Sequence, residues 1–208
     1  MTAGSAIMKN ALSSTGRNVI SGIILAGGAS RRMGHDKGLA DFAGQPLIRH
    51  VIARIAPQVN ELHISVHRYS EAYRQFGYPL VADGGADFQG PLAGILAGLY
   101  ASRSEWVLTA PCDSPFLPVD LAERLLAASA HADLAIASAE RTHATTMLCR
   151  RSLAPNLADA LAQGVRRVQD WQADLRYVLV HFSDEAAFAN LNTQEQLANA
   201  HKSPSHRH

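Results

Sequence analysis

Lysine is scarce in this chain. Only three occur among 208 residues, against sixteen arginines. Lys9 and Lys202 fall near the two ends, which leaves Lys37 as the single lysine of the central body. An arginine-rich genome with one chance survivor accounts for this. So does a site that needs a compact ammonium, which a planar guanidinium does not replace. Cysteine is rarer still. Cys112 and Cys149 form no recognisable metal or redox spacing, so free thiols in a cytoplasmic protein are expected. No apolar run reaches the roughly 18 residues that a membrane span needs. No sign of charge dominates either: the formal net charge is +1, with no basic excess of the kind nucleic-acid binding uses. Neither nucleic acid nor membrane is therefore expected as a partner.

What remains is an ordinary globular composition, 47% hydrophobic and 18% charged, long enough to bury a single core. Residues 1–18 are small and polar without a signal-peptide apolar core, and are expected to be a disordered extension, with Met8 an equally good start. Residues 201–208 read as a solvated polar tail despite their histidines. Between them, residues 19–200 are expected to form one domain.

Short apolar runs alternate there with helical spacing. Strands are expected from Val19 to Ala26, from Leu62 to Val66, at Leu80-Val81, from Trp106 to Ala110 and from Leu134 to Ala137. Helical patterns fill Pro46–Ile55, Ser70–Phe76, Pro91–Ala101 and Pro118–Ala130. Gly94 and Gly98 inside the third of these suit close packing on a sheet. The second half is less regular, with a strand at Thr146–Cys149, helices at Leu153–Leu161 and Arg166–Trp171, a strand at Tyr177–Phe182 and a last helix from Thr193. His181 is expected to face solvent from that strand. Strand–helix alternation argues for an α/β fold, a mostly parallel sheet with helices on both faces.

In such a sheet, ligands gather beyond the carboxyl ends of the strands. Three unusual segments fall there. The first runs Leu25-Ala26-Gly27-Gly28-Ala29-Ser30-Arg31-Arg32-Met33-Gly34-His35-Asp36-Lys37. Paired glycines let main-chain N–H groups approach an anion, and Arg31, Arg32 and Lys37 add full charge, a combination suited to a triphosphate. It is neither a Walker loop nor a G-x-G-x-x-G fingerprint, and an exposed glycine-rich turn has the same outline. The second is Asp113, held between Pro111 and Pro115 beyond an apolar strand. It is placed either to hold Mg²⁺ or to cap a turn. The third is Asp83, ahead of Gly84-Gly85, an acceptor for a nucleoside or another turn residue.

The loop Leu25-Ala26-Gly27-Gly28-x-Ser30-x-Arg32-Met33-Gly34-x-x-Lys37 resembles the signature of the molybdenum cofactor guanylyltransferases, the MobA proteins. The likeness continues, in order, through Gly44-Gln45-Pro46-Leu47, Asp83, Gly90-Pro91-Leu92-Ala93-Gly94, Pro111-Cys112-Asp113-Ser114-Pro115, Gly164-Val165-Arg166-Arg167-Val168 and Asn190-Leu191-Asn192-Thr193. It covers nearly everything from Ile20 to Ala198. The resemblance implies a Rossmann-like nucleotidyltransferase fold. It also implies GTP and Mg²⁺, a molybdopterin acceptor, and molybdoenzymes or their chaperones as further partners. By the same likeness Leu25, Ala26, Gly27, Gly28, Lys37 and Asp83 contact GTP, and Asp113 binds Mg²⁺ at the GTP site. Arg166, Arg167, Asn190 and Asn192 fall on segments associated with the pterin. The chain departs from the family in two places. Ser65, with His67 two residues on, stands where asparagine is frequent, and its hydroxyl is the group left for the nucleoside. His143-Ala144-Thr145 replaces a frequent His-Pro-Thr.

The implied chemistry is in-line attack by an acceptor phosphate on the α-phosphorus of GTP, with Arg31, Lys37 and Asp113 as the catalytic group. Three rivals stand beside it. A cytidylyltransferase for the same cofactor usually shows Leu-Ala-Ala-Gly where this chain has Leu25-Ala26-Gly27-Gly28. The others are a sugar-phosphate nucleotidyltransferase and a non-catalytic GTP-binding adaptor, which has no need of Lys37 and Asp113.

Overall fold

The computed structural model describes residues 19–27, 36–67, 71–82, 90–191 and 196. Strand β1 (Ile20–Leu25) comes first, and further on a small hairpin, β2 (Asp41–Phe42) and β3 (Gln45–Pro46), leads into α1 (Leu47–Ile55). Next come β4 (Glu61–Val66), β5 (Leu80–Ala82), α2 (Pro91–Ala101) and β6 (Trp106–Pro111). They are followed by α3 (Leu121–Ala128), β7 (Leu134–Ser138), β8 (Thr142–Arg150), α4 (Ala154–Ala162), α5 (Val168–Gln172) and β9 (Tyr177–His181).

Seven strands form one sheet in the order β5-β4-β1-β6-β8-β7-β9. Neighbours pair in parallel except around β8, which runs against both β6 and β7. The mostly parallel α/β architecture expected from the sequence is therefore present. Side chains of β1 alternate between two cores. Ile20 and Ile24 join α1 and α3 on one face, and Ile23 joins α2, α4 and α5 on the other. Both glycines of α2 sit against the sheet: a Cβ on Gly98 would come within 2.6 Å of Ile23, and one on Gly94 within 2.6 Å of Ser65 Oγ. Their missing side chains are what lets the helix approach.

Several expectations need correction. Glu71–Phe76 is a 3-10 segment and not an α-helix, and the strand expected at Thr146–Cys149 extends over Thr142–Arg150. The helix expected from Pro118 begins at Leu121, and the one expected from Arg166 begins at Val168 with Arg167 as its cap. The β2–β3 hairpin has strands too short to show any period. It turns through Ala43 and Gly44, both with positive φ (54° and 80°). His181 is exposed at the end of β9, as expected. The extension over 1–18, the tail over 201–208 and the start of the helix from Thr193 lie outside the described residues. Among the described residues, no helix is long and apolar enough to cross a membrane.

Candidate active site

β1 is the strand from which the chain winds both ways, with β4 on one side and β6 on the other. That arrangement opens a crevice beyond the carboxyl ends of β1 and β6. Pairing continues past the strands there. The Ala26 N–H donates to Ser65 O at 2.8 Å, and the Cys112 N–H donates to Leu25 O at 3.1 Å. The three segments are thus fastened side by side. They enclose a cavity of about 200 Å³ whose lining includes Leu25, Ala26, Gly27, Ser65, Lys37 and Asp113. Residues far apart in sequence and singled out for a nucleotide meet in one place. Gly90 and Pro91, at the first turn of α2, form another wall.

Lys37 Nζ stands 3.8 Å from Asp113 Oδ2, too far for a hydrogen bond but close enough for strong attraction in a partly buried site. The aspartate side chain is 10% exposed and the lysine 33%. Burial pushes the Asp113 carboxyl above its usual range, and Lys37 pulls it part of the way back. Lys37 opens a 3-10 turn over Lys37–Leu39, capped by Asp36, whose Oδ1 accepts from the Gly38 N–H at 3.3 Å. The Tyr73 hydroxyl donates to the same oxygen. Burial also raises the Asp36 carboxyl, against these two hydrogen bonds. Cys112 is buried, and burial together with Asp113 and Asp36 drives its thiol well above the ordinary value. It therefore packs and does not act as a nucleophile. Cys149, in the opposite core, is pushed up to about 12 by burial alone.

The chain returns to this crevice from its second half. Ser114 Oγ donates to Asn190 Oδ1 at 2.8 Å, and the Leu191 N–H donates to Asp113 O at 2.9 Å. Leu191 buries itself with Phe42 and Leu47 beside the hairpin, which anchors the returning segment. Asn190 consequently lines the same cavity as Lys37 and Asp113. The resemblance assigns it to the acceptor side, so one acceptor-side residue shares the chamber of the nucleotide residues.

Arg166 and Arg167 are exposed and do not line that cavity. Arg166 Nη1 donates to Leu161 O and Val165 O, both at 2.8 Å, at the carboxyl end of α4. Its backbone is nonetheless close, since a Cβ on Gly90 would stand 3.4 Å from Arg166 O. Gly28, Arg31, Asp83 and Asn192 lie outside the described residues. Lining residues to which the sequence reading gave no role in the site include Asp36, Cys112 and Thr145. Asp36 carried a signal, an aspartate two residues before a glycine at a turn. Thr145 carried none, because the length of β8 was underestimated. Next to it His143 bonds to Glu185 Oε2 at 3.1 Å and stacks on Phe188, while Gln172 Nε2 donates to Ala144 O at 2.8 Å. The segment that departs from the family pattern is thereby held within β8, where the register against β7 shifts.

A cavity at the switch point of a mostly parallel sheet, lined by glycine-rich backbone, a lysine and a buried aspartate, defines a nucleotide-handling α/β enzyme. Residues 22–176 match the model of the MobA-like NTP transferase domain. A molybdenum cofactor guanylyltransferase of Burkholderia ambifaria is 48% identical over 192 residues, covering 86% of this chain and 94% of that protein. The chain belongs to the molybdenum cofactor guanylyltransferase family of nucleotidyltransferases. Among solved structures, molybdopterin-guanine dinucleotide biosynthesis protein A of Archaeoglobus fulgidus superposes with a TM-score of 0.71 at 23% identity. It covers 88% of this chain and 97% of its own. A 4-diphosphocytidyl-2C-methyl-D-erythritol synthase of Anaerococcus prevotii does so with 0.69 at 17%, covering 88% and 97%. The fold is thus common to enzymes that handle different bases.

Proposed function

We propose that this enzyme transfers GMP from GTP to the phosphate of molybdopterin, forming the guanine dinucleotide form of the molybdenum cofactor. The observation that carries the reading is the pairing of Lys37 with buried Asp113 across a cavity walled by Leu25-Ala26-Gly27. The guanylyltransferase names of relatives near half identity favour guanine over the cytidylyl and sugar-phosphate alternatives. An acceptor phosphate oxygen attacks the α-phosphorus of GTP in line. The bond from that phosphorus to the β-phosphate's bridging oxygen breaks, and pyrophosphate leaves with its electron pair. The acceptor is already ionised near neutral pH, so positioning and charge neutralisation supply the catalysis.

Lys37 offsets charge on the triphosphate, and Arg31 does the same from the loop before it. Leu25, Ala26, Gly27 and Gly28 present backbone to the nucleotide, while Ser65 and Asp83 offer polar contacts to the nucleoside. The acceptor side draws on Arg166, Arg167, Asn190 and Asn192, with Arg167 the better placed arginine because Arg166 already serves α4. Mg²⁺ fits Asp113. The ion favours one or two carboxylates completed by phosphate oxygens and water. Asp113 is such a carboxylate, nearly excluded from water, and burial leaves its charge under-compensated. Among the described residues no group of three or more His, Cys, Asp or Glu side chains is arranged to hold a metal, so Asp113 would hold the ion together with the triphosphate's oxygens. When bound it neutralises charge on the phosphate oxygens.

The test is pyrophosphate release from each of the four common nucleoside triphosphates, with and without molybdopterin. Release that needs both GTP and molybdopterin is expected. Equal rates with all four would remove the guanine assignment, and no release with any would leave a binding adaptor.

A further inference from the structure

Tyr73 belongs to no motif and does not line the cavity, yet its hydroxyl bonds to Asp36, which does. It lies in the 3-10 segment between β4 and β5 and is fully buried. Its hydroxyl donates to Asp36 Oδ1, the oxygen that also caps the Lys37–Leu39 turn. A Cβ on Gly38 would stand 2.6 Å from that hydroxyl and 3.3 Å from Cys112 Sγ. The phenol is therefore wedged between the turn that carries Lys37 and the residue before Asp113. A residue serving only to fill space needs no hydroxyl here. Burying a phenol against a half-buried carboxylate is costly, and burial raises the pKa of both groups, disfavouring their charged forms.

We propose that Tyr73 is a positioning residue: through Asp36 it sets where Lys37 stands relative to Asp113, and so how firmly the enzyme holds the triphosphate of GTP. The role rests on the function proposed above, in which Lys37 meets the triphosphate. It makes Gly38 obligatory as well, because any side chain there displaces the hydroxyl.

The experiment combines GTP titration calorimetry, steady-state pyrophosphate release and thermal melting on five variants. Tyr73→Phe keeps the ring and should raise the Kd and KM for GTP roughly three- to tenfold, with a smaller change in kcat. Added to Lys37→Ala, the same substitution should alter GTP affinity by less than about twofold, because the link it serves is already gone. Gly38→Ala should weaken GTP binding alone and recover part of it when combined with Tyr73→Phe, which frees the space its Cβ needs. A Tyr73→Phe effect of equal size with and without Lys37, or no effect at all, shows that Tyr73 only packs. Gly38→Ala without recovery in the double variant overturns the wedge. A wild-type enzyme that fails to bind GTP overturns the proposed function and this role together. Wild-type binding with an unaffected Tyr73→Phe overturns the positioning role alone.

Discussion

Two carboxylates stand at opposite ends of the same sheet, and their surroundings push them in opposite directions. Glu61 opens β4 at the amino end of the sheet. It accepts from the Ser21 hydroxyl and, at 2.8 Å, from the Arg103 N–H. Desolvation raises its pKa, but these hydrogen bonds, with help from His63 and Arg103, bring the net value below the usual glutamate range. Asp113 follows β6 at the carboxyl end. There burial dominates, and the net value is raised. At the amino end other charges also find partners within the protein, as Arg150 does with Glu105 and with the face of Trp106. The amino end satisfies its charges internally. The carboxyl end keeps a carboxylate under-compensated, which is what a site awaiting a cation and a polyphosphate requires.

The comparison is broken most directly at Asp113. Asp113→Asn should lower turnover by on the order of a thousandfold, as removal of a main electrostatic group does. It should also stabilise the ligand-free protein by on the order of 1 kcal/mol, since a raised folded pKa makes the ionised carboxylate a net cost. The sign is definite. The cost is absent below the unfolded value of 3.8 and complete once pH exceeds the raised folded value. Melting and pyrophosphate release on one preparation check both halves. A variant that turns over normally, or melts lower at pH 7, removes the contrast.

Lys37→Ala comes next. Losing a charge-assisted contact to phosphate costs about 1.5–3 kcal/mol, or roughly ten- to a hundredfold in GTP affinity. Lys37→Arg should restore only part, because the planar fork does not reproduce a point charge. Calorimetric titration with GTP decides it. Full recovery by arginine would make the scarcity of lysine a matter of genome composition.

The two glycines of α2 compare the ends along a single helix. Gly98→Ala drives a Cβ toward three atoms of Ile23 at 2.6–2.9 Å in a filled core, and should cost roughly 1–3 kcal/mol of stability. Its effect on GTP affinity should be small. Gly94→Ala meets the rotatable Ser65 hydroxyl at the cavity wall and should disturb GTP binding more than melting. Equal effects on both properties would mean that the helix transmits strain between the ends.

How much of this was legible beforehand follows the same division. The central parallel strands show in the sequence because they are continuous apolar runs buried on both faces, as Ile20–Leu25 and Trp106–Pro111 are. The site loops show because glycine pairs, a solitary lysine and a proline-flanked aspartate are unusual after a strand. Tyr73 and Thr145 do not, since Thr145 reaches the cavity and Tyr73 reaches Asp36 by tertiary packing that no local pattern encodes. Asn190 shows as a motif, but its place beside Lys37 and Asp113 does not. Its position depends on Leu191 burying itself against the hairpin.

The smallest effect is expected at Glu61, and it tests the amino end. Glu61→Gln keeps the shape and removes the charge that Ser21 and the Arg103 N–H stabilise. The group is partly exposed, so solvent screens it, and the loss at pH 7 should stay within about 1 kcal/mol. Its folded pKa lies below the ordinary value of 4.5, so its stabilisation is complete above 4.5 and disappears as pH falls through the folded value. The melting curves of wild type and Glu61→Gln should therefore differ at pH 7 and converge once pH falls below the folded value. Over the same range Asp113→Asn should also converge with wild type, but from the more stable side. Turnover of Glu61→Gln should match wild type throughout, because nothing at that end faces the cavity among the described residues. Convergence from the same side in both variants would show that the two carboxylates do the same work, and that the ends of the sheet are not divided between structure and site.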